Sequence, residues 1–263
     1  MILTDVQRTQ LLANPSWVDI GNLPSNFEPY EYKKLHIRPF QVGHLRLISK
    51  ALSSNDISFQ IQAVDQVIDQ DVHTLSTGDY FYVRMWLKIH SSTKTPLTVD
   101  WHCGASVLKH KNNNTYILNS PKDRELLATV DLDDYDEVPC KTHNTELVYS
   151  TDLEVVQLPE EGYVPLPEGF DFPRVGIYSD IKEGLLNPEL KYIVGAAQWL
   201  AGGTLAERIA KLESEENLDT FNTALALSAV YAHGVKETTT LHCNGCGMEH
   251  PYLVQISDLS FFQ

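Results

Sequence analysis

His242-Cys243-Asn244-Gly245-Cys246-Gly247 decides how this chain is read. Two thiols separated by two residues, with glycine at the turn, form a metal knuckle. The backbone amides of such a turn can point at the sulfurs, and glycine tolerates the dihedrals that this demands. The stretch follows Thr238-Thr239-Thr240-Leu241, which has the β-branched content of a strand. One knuckle supplies half of a tetrahedral shell, so the remaining ligands must come from elsewhere in the chain. The sequence has four cysteines, and the other two are Cys103 and Cys140.

Working upstream, the surroundings of the knuckle recur. Thr95-Pro96-Leu97-Thr98-Val99-Asp100-Trp101 also runs into His-Cys, at His102-Cys103. Cys140 precedes Asp152-Leu153 by the spacing that separates Cys246 from Asp258-Leu259, and Leu147-Val148 matches Leu253-Val254. Further back, Leu23-Pro24-Ser25-Asn26-Phe27-Glu28 recurs as Leu166-Pro167-Glu168-Gly169-Phe170-Asp171. Each copy leads into a predicted strand, Tyr32 to Arg38 in one and Arg174 to Tyr178 in the other.

Helical blocks follow in both halves. Leu45, Ile48 and Leu52 share one helical face, and Ile57, Ile61, Val64 and Ile68 share another. The second half has a helix over Leu190 to Leu200, a break at Gly202-Gly203, and a capping box from Thr204 to Glu207. A third helix is predicted from about Asp79 to His90, capped by Ser76 or Thr77, and its counterpart from about Asp219 to His233. Trp86, Trp101 and Trp199 fall on apolar faces and read as core.

The expected fold is therefore α+β, built from internally duplicated strand–three-helix–strand units joined by a shared four-cysteine zinc site. Residues 1–22 form an N-terminal arm. Residues 23–153 are the first repeat, with a hairpin insert at 104–139, and 154–165 are a linker. Residues 166–263 are the second repeat, ending in the knuckle. Within the insert, Ala105 to His110 and Tyr116 to Leu118 read as a hairpin, and the acidic run Asp131 to Glu137 reads as an exposed loop.

The expected metal ligands are Cys103, Cys140, Cys243 and Cys246, with structural Zn2+ as the cofactor. The spacing Cys140-Lys141-Thr142-His143 leaves a mixed set open, namely Cys140, His143, Cys243 and Cys246, with Cys103 a buried hydrophobe. The absence of metal is a third option. His102 and His242 are candidates for outer-sphere contacts. Four thiolates leave no open position on the ion, so the expected role is folding rather than chemistry.

The bulk properties narrow the function. A formal net charge of −15 repels phosphate backbones, which argues against nucleic acid as a partner. No apolar run is long enough for a transmembrane helix, so no membrane is expected. The start of the chain lacks the basic and apolar segments of a secretory signal, which places assembly in a reducing cytoplasm. There is no Walker A pattern, Rossmann fingerprint, His-Glu-x-x-His or Gly-x-Ser-x-Gly elbow, and the expectation is that the chain is not an enzyme. Gly202-Gly203-Thr204 is explained as a helix break and cap. His90 and His233 end third helices, where the dipole favours a cation.

Leu23-Pro24-Ser25, Leu75 with Gly78-Asp79, Arg84, the strand into His102-Cys103, the C-terminal His242-Cys243-Asn244-Gly245-Cys246-Gly247 and Asp258-Leu259 together resemble a viral family. The chain is similar to the baseplate hub or hub-assembly proteins of T-even-like contractile-tailed bacteriophages. The resemblance implies a structural protein of the virion, in the hub region of the tail baseplate. It implies other baseplate hub, tail tube or tape-measure proteins as partners, and allows a homo-oligomer. A non-virion assembly chaperone, or a zinc-ribbon module for another partner, are the alternatives. Two features depart from the family pattern: the first cysteine pair is split by the insert, and the second copy reads Asn217-Leu218-Asp219 in place of Gly-Asp.

Overall fold

The computed structural model describes Val6, Gln10 and residues 16–54, 56–91, 97–112, 116–118, 127–149, 154–159, 163–177, 191–214, 218–236 and 238–253. These residues form an α+β fold with small antiparallel sheets and, among the described residues, six helices. They divide into two units. A helical unit takes the described residues of Met1–Lys94 and Thr151–Lys236, and a strand unit takes those of Thr95–Ser150 and Glu237–Ser260. The chain therefore passes through the strand unit twice. The units cut across the sequence-order segments 23–153 and 166–263: each segment gives its helices to one unit and its cysteine-bearing strands to the other.

In the helical unit, β1 (Val18–Asp19) pairs antiparallel with β2 (His36–Ile37). α1 (Val42–Ser54) and α2 (Ile57–Asp65) follow, the second capped by the Asp56 carboxylate, which accepts the Ser58 N–H at 3.0 Å. α3 (Thr77–His90) starts where Ser76 Oγ accepts the Asp79 N–H. It is apolar nearly all round, and it is buried from Asp79 to Leu87. α4 (Lys191–Ala197), α5 (Leu205–Ser214) and α6 (Asp219–Val230) pack around Trp199, Leu200, Leu205, Ala224 and Leu227. β8 (Val155–Val156) and β9 (Gly234–Val235) close the unit as an antiparallel pair.

The capping box is formed as predicted. Thr204 N–H donates to Glu207 Oε2 at 2.7 Å, and Glu207 N–H donates to Thr204 Oγ1 at 3.3 Å. Several boundaries differ from the sequence reading. The strand expected over Tyr32 to Arg38 shrinks to two residues, paired with Val18–Asp19 on one edge and bridged to Ile68 on the other. Val175–Ile177 is a 3-10 turn rather than a strand, joined to the capping residue of α3 by a single bridge between Arg174 and Ser76; Tyr178 lies outside the described residues. Ile68 falls past the end of α2, and α6 stops at Val230, three residues before His233. Leu190 also lies outside the described residues. α4 ends at Ala197, after which Leu200 turns away to bridge Phe170.

A buried polar centre holds the start of α3. Asp79 is fully buried. Its Oδ1 accepts the Ser25 N–H at 3.0 Å, and its Oδ2 accepts the Tyr30 and Ser76 hydroxyls. Tyr30 Oη in turn accepts the Ser76 N–H at 2.8 Å, and Ser76 Oγ lies 2.7 Å from His233 Nε2. Burying a carboxylate is costly unless it is satisfied by several donors, as this one is. Two separated sequence motifs thus meet: Ser25 of the Leu-Pro-Ser stretch and Asp79 of Gly78-Asp79. Gly78 has its own reason to be glycine, since a Cβ there would lie 2.2 Å from the carbonyl oxygen of His233. His90 ends α3 as predicted, but buried, with its ring stacked on Trp86 and its Nδ1 2.8 Å from the Trp86 carbonyl.

In the strand unit, β3 (Leu97–His102) pairs antiparallel with β7 (His143–Tyr149), and His102 stands directly opposite His143. β4 (Ser106–His110) is the middle strand of a three-stranded sheet, between β5 (Tyr116–Leu118) and β6 (Tyr135–Pro139). β10 (Thr238–His242) pairs with β11 (Glu249–Leu253), with His242 opposite Glu249. The predicted hairpin of β4 and β5 is present. The acidic run expected as a loop is instead a short 3-10 turn, Leu132–Asp134, followed by β6 on the other edge of β4. Asp136 and Glu137 stay exposed there while Tyr135 and Val138 are half-buried. The charge of this strand is thus its solvent face.

Candidate metal centre

β3 and β7 bring Cys103 and Cys140 to one end of their ribbon. Cys103 follows the last residue of β3, and Cys140 lies three residues before the first residue of β7. The backbone closes the join twice, with Cys103 N–H donating to the Thr142 carbonyl at 3.1 Å and Gly104 N–H to the Cys140 carbonyl at 2.8 Å. Gly104 takes a φ of +65° to make this turn. β10 and β11 present the second pair on a tight turn. Gly247 N–H donates to the Cys243 carbonyl at 2.7 Å, and Cys243 N–H to the Met248 carbonyl at 3.0 Å.

The four sulfurs converge. Cys103 Sγ lies 3.6 Å from Cys246 Sγ, Cys140 Sγ lies 3.7 Å from Cys243 Sγ, and all four lie within 4.8 Å of one another. A tetrahedral ion with metal–sulfur bonds of about 2.3 Å sets its sulfurs about 3.8 Å apart. The two short edges match that figure, so the donor set fits a tetrahedral Zn2+ site. All four thiols are free of disulfides, and three of them are buried.

Three of the sulfurs also face a polar side chain of the protein. Thr142 Oγ1 lies 3.3 Å from Cys140 Sγ, and His250 Nε2 lies 3.2 Å from Cys103 Sγ. Asn144, itself buried, places its amide 3.6 Å from Cys243 Sγ and accepts the Asn244 N–H on Oδ1 at 2.9 Å. Burial acts to raise the Cys243 thiol, but the N–H groups of Cys246 and Gly245 and the Asn144 amide outweigh it and bring that thiol to about 6. Burial pushes Cys246 well above the ordinary thiol range against the Met248 N–H, and it raises Cys103 against the Ala105 N–H. The thiolate, not the thiol, is the form that binds a soft or borderline cation.

The ligand set brought together is the four-cysteine one. His143 is exposed, with its ring turned onto that of His102, and it is not among the sulfurs. His102 and His242 are exposed as well. The side chains that do touch the sulfurs, Thr142, Asn144 and His250, were not singled out from the sequence. Only their nearness to the cysteines along the chain could have marked them. The two knuckles interlock at Gly245, where a Cβ would lie 2.0 Å from Thr142 Oγ1.

The sulfurs are also the core of their unit. Among the described residues, its buried side chains are Cys103, Val107, Ile117, Cys140, Asn144, Leu241 and Cys243. Trp101, Ala105, Val138 and Met248, all partly buried, pack against this cluster.

Among the described residues, the helical unit holds a constellation with the composition of a hydrolytic triad, Ser76, His233 and Asp79. Ser76 and Asp79 have no exposed surface, and their hydrogen bonds fasten Ser25, Tyr30 and the start of α3. These bonds lock the start of α3 in place. Among the described residues, no helix is long and apolar enough to cross a membrane. No family model matches the chain, and no curated protein or solved structure matches it.

Proposed function

We propose that Cys103, Cys140, Cys243 and Cys246 hold one structural Zn2+, and that the chain is an assembly component of the hub region of a contractile phage-tail baseplate. One observation supports the first part: four cysteine sulfurs, none in a disulfide, lie within 4.8 Å of one another in the buried cluster of the strand unit. Four thiolates fill the shell of the ion, leaving no position for an activated water or a substrate. The ion's contribution is folding free energy, about 10–16 kcal/mol in small zinc modules at neutral pH. It ties residues of the first cysteine-bearing segment to those of the second.

An internal duplication is part of this reading, supported by the matching registers of the two ribbons. In each, a histidine precedes the first cysteine and stands opposite the residue three places after the second, His102 opposite His143 and His242 opposite Glu249. The baseplate assignment rests on the motif resemblance. The meeting of its Leu-Pro-Ser and Gly-Asp elements at Asp79 supports their being one structural device.

Metal analysis of the purified protein tests the first part, with about one zinc per chain expected. Proteomics of purified particles of the parent phage tests the second. Abundant peptides of this chain in finished tails support it. Peptides found only in assembly intermediates would replace it with an assembly chaperone, and zinc-loaded protein absent from both would leave a zinc-ribbon module for another partner.

A further inference from the structure

We propose that His102 and His143 form a second, exchangeable metal site on the exposed face of the β3–β7 ribbon, for a borderline divalent transition cation such as Zn2+ or Ni2+. The two residues are direct partners across antiparallel strands. Both are exposed, and their rings lie with centroids 4.8 Å apart at an interplanar angle of 32°. That spacing has a meaning. With metal–nitrogen bonds of about 2.0–2.1 Å, an imidazole centroid lies about 3.2 Å from the ion, so two rings subtending about 90–109° have centroids about 4.5–5.2 Å apart. The observed distance falls inside this interval.

The paired strands fix the backbone positions of the two histidines. Cys103 N–H bonds the Thr142 carbonyl beside it, and next along the same face Thr145 Oγ1 donates to Asp100 Oδ1. The backbones are already in register when two such rings close on an ion, which is the advantage of a chelate held by paired strands. Imidazole suits Zn2+, Ni2+ and Cu2+ and disfavours Mg2+ and Ca2+. Two protein ligands leave the remaining positions to water, so this ion exchanges where the four-thiolate ion does not. The equivalent place on the other ribbon holds His242 and Glu249, with Nε2 3.8 Å from Oε1, and this pair provides the control.

The test is calorimetric titration of tag-free, zinc-loaded protein with Ni2+, with zinc content measured before and after. Wild type should take up one Ni2+ per chain while keeping its zinc. His102→Thr and His143→Thr should each weaken that uptake by at least the roughly 10–100-fold that loss of an outer-sphere partner costs. His242→Thr should leave it unchanged, and all variants should keep their zinc. Absence of Ni2+ binding to wild type, or binding unaltered in both single variants, overturns the proposal. Ring resonances of histidine in the wild-type protein give a reading independent of any variant. Those of His102 and His143 should broaden together at one equivalent of Ni2+, and broadening of other histidines alone overturns it. Retained zinc separates failure of this site from failure of the four-cysteine centre.

Discussion

Asn144 reaches from β7 to the opposite knuckle, accepting the Asn244 N–H at 2.9 Å while its amide faces Cys243 Sγ at 3.6 Å. One side chain thus fixes the second turn and faces one of its sulfurs. Asn144→Ala should lower zinc affinity by about 10–100-fold, the usual cost of losing an outer-sphere partner. Asn144→Asp should lower it further, because a carboxylate would face a thiolate. Competition with a chromophoric chelator measures both, and equal affinity in wild type and Asn144→Asp would remove the residue from the site.

Metal removal should act on one unit. On chelation, or in any one of Cys103→Ser, Cys140→Ser, Cys243→Ser and Cys246→Ser, amides of β3, β7, β10 and β11 should lose protection from hydrogen exchange. Those of α3 should keep theirs, since α3 is buried in a core that contains none of these sulfurs. Loss of protection in α3 to the same extent would contradict the division.

Gly78→Ala tests the lock at the start of α3. The added methyl would meet the His233 carbonyl at 2.2 Å, and a backbone atom cannot step aside as a side chain can. The expected destabilisation is about 3 kcal/mol, the upper end of overpacking costs, with zinc content unchanged. Denaturant melts followed by helical circular dichroism read it.

Tyr30 gives the helical unit an alkaline limit. Burial, and then the neighbouring Asp79 charge and hydrogen bond, hold its hydroxyl well above the usual tyrosine range. A folded-state value above the unfolded one contributes stability that is complete below the unfolded value, about 10, and is lost as pH rises through the folded value. Lys88 works in the opposite sense: desolvation lowers it to about 8, so its contribution falls away as pH drops from 10.5. The comparison therefore belongs above pH 10.5. There Tyr30→Phe should flatten the decline of stability with pH, while costing about 1–3 kcal/mol at neutral pH because Asp79 loses a donor. Parallel curves for the two proteins would refute the assignment.

Two helix starts were legible because their caps are local: Ser76 before α3 and the Thr204–Glu207 box before α5 each work within one turn. The C-terminal knuckle was legible for the same local reason. Cys103 and Cys140 were reached through the recurring His-Cys and closing-strand pattern, and β3–β7 pairing is what brings them together. β6 was missed because its acidic side chains describe its wet face and hide the half-buried Tyr135 and Val138. The supports of the sulfurs, Asn144, Thr142 and His250, were also missed. Nothing in the sequence around them marks these side chains as partners of sulfur, and a polar residue near a cysteine is most often only a neighbour.

The two visits of the chain to the strand unit set an order of events during synthesis. Cys103 and Cys140 leave the ribosome first, and α4, α5 and α6 must be made before Cys243 and Cys246 follow. Throughout that interval the earlier thiols wait as a half-finished pair, open to oxidation or to capture by the wrong cation. All four sulfurs can converge only when the last knuckle arrives, so a polypeptide cut short before Cys243 carries two of the four thiols without their counterparts.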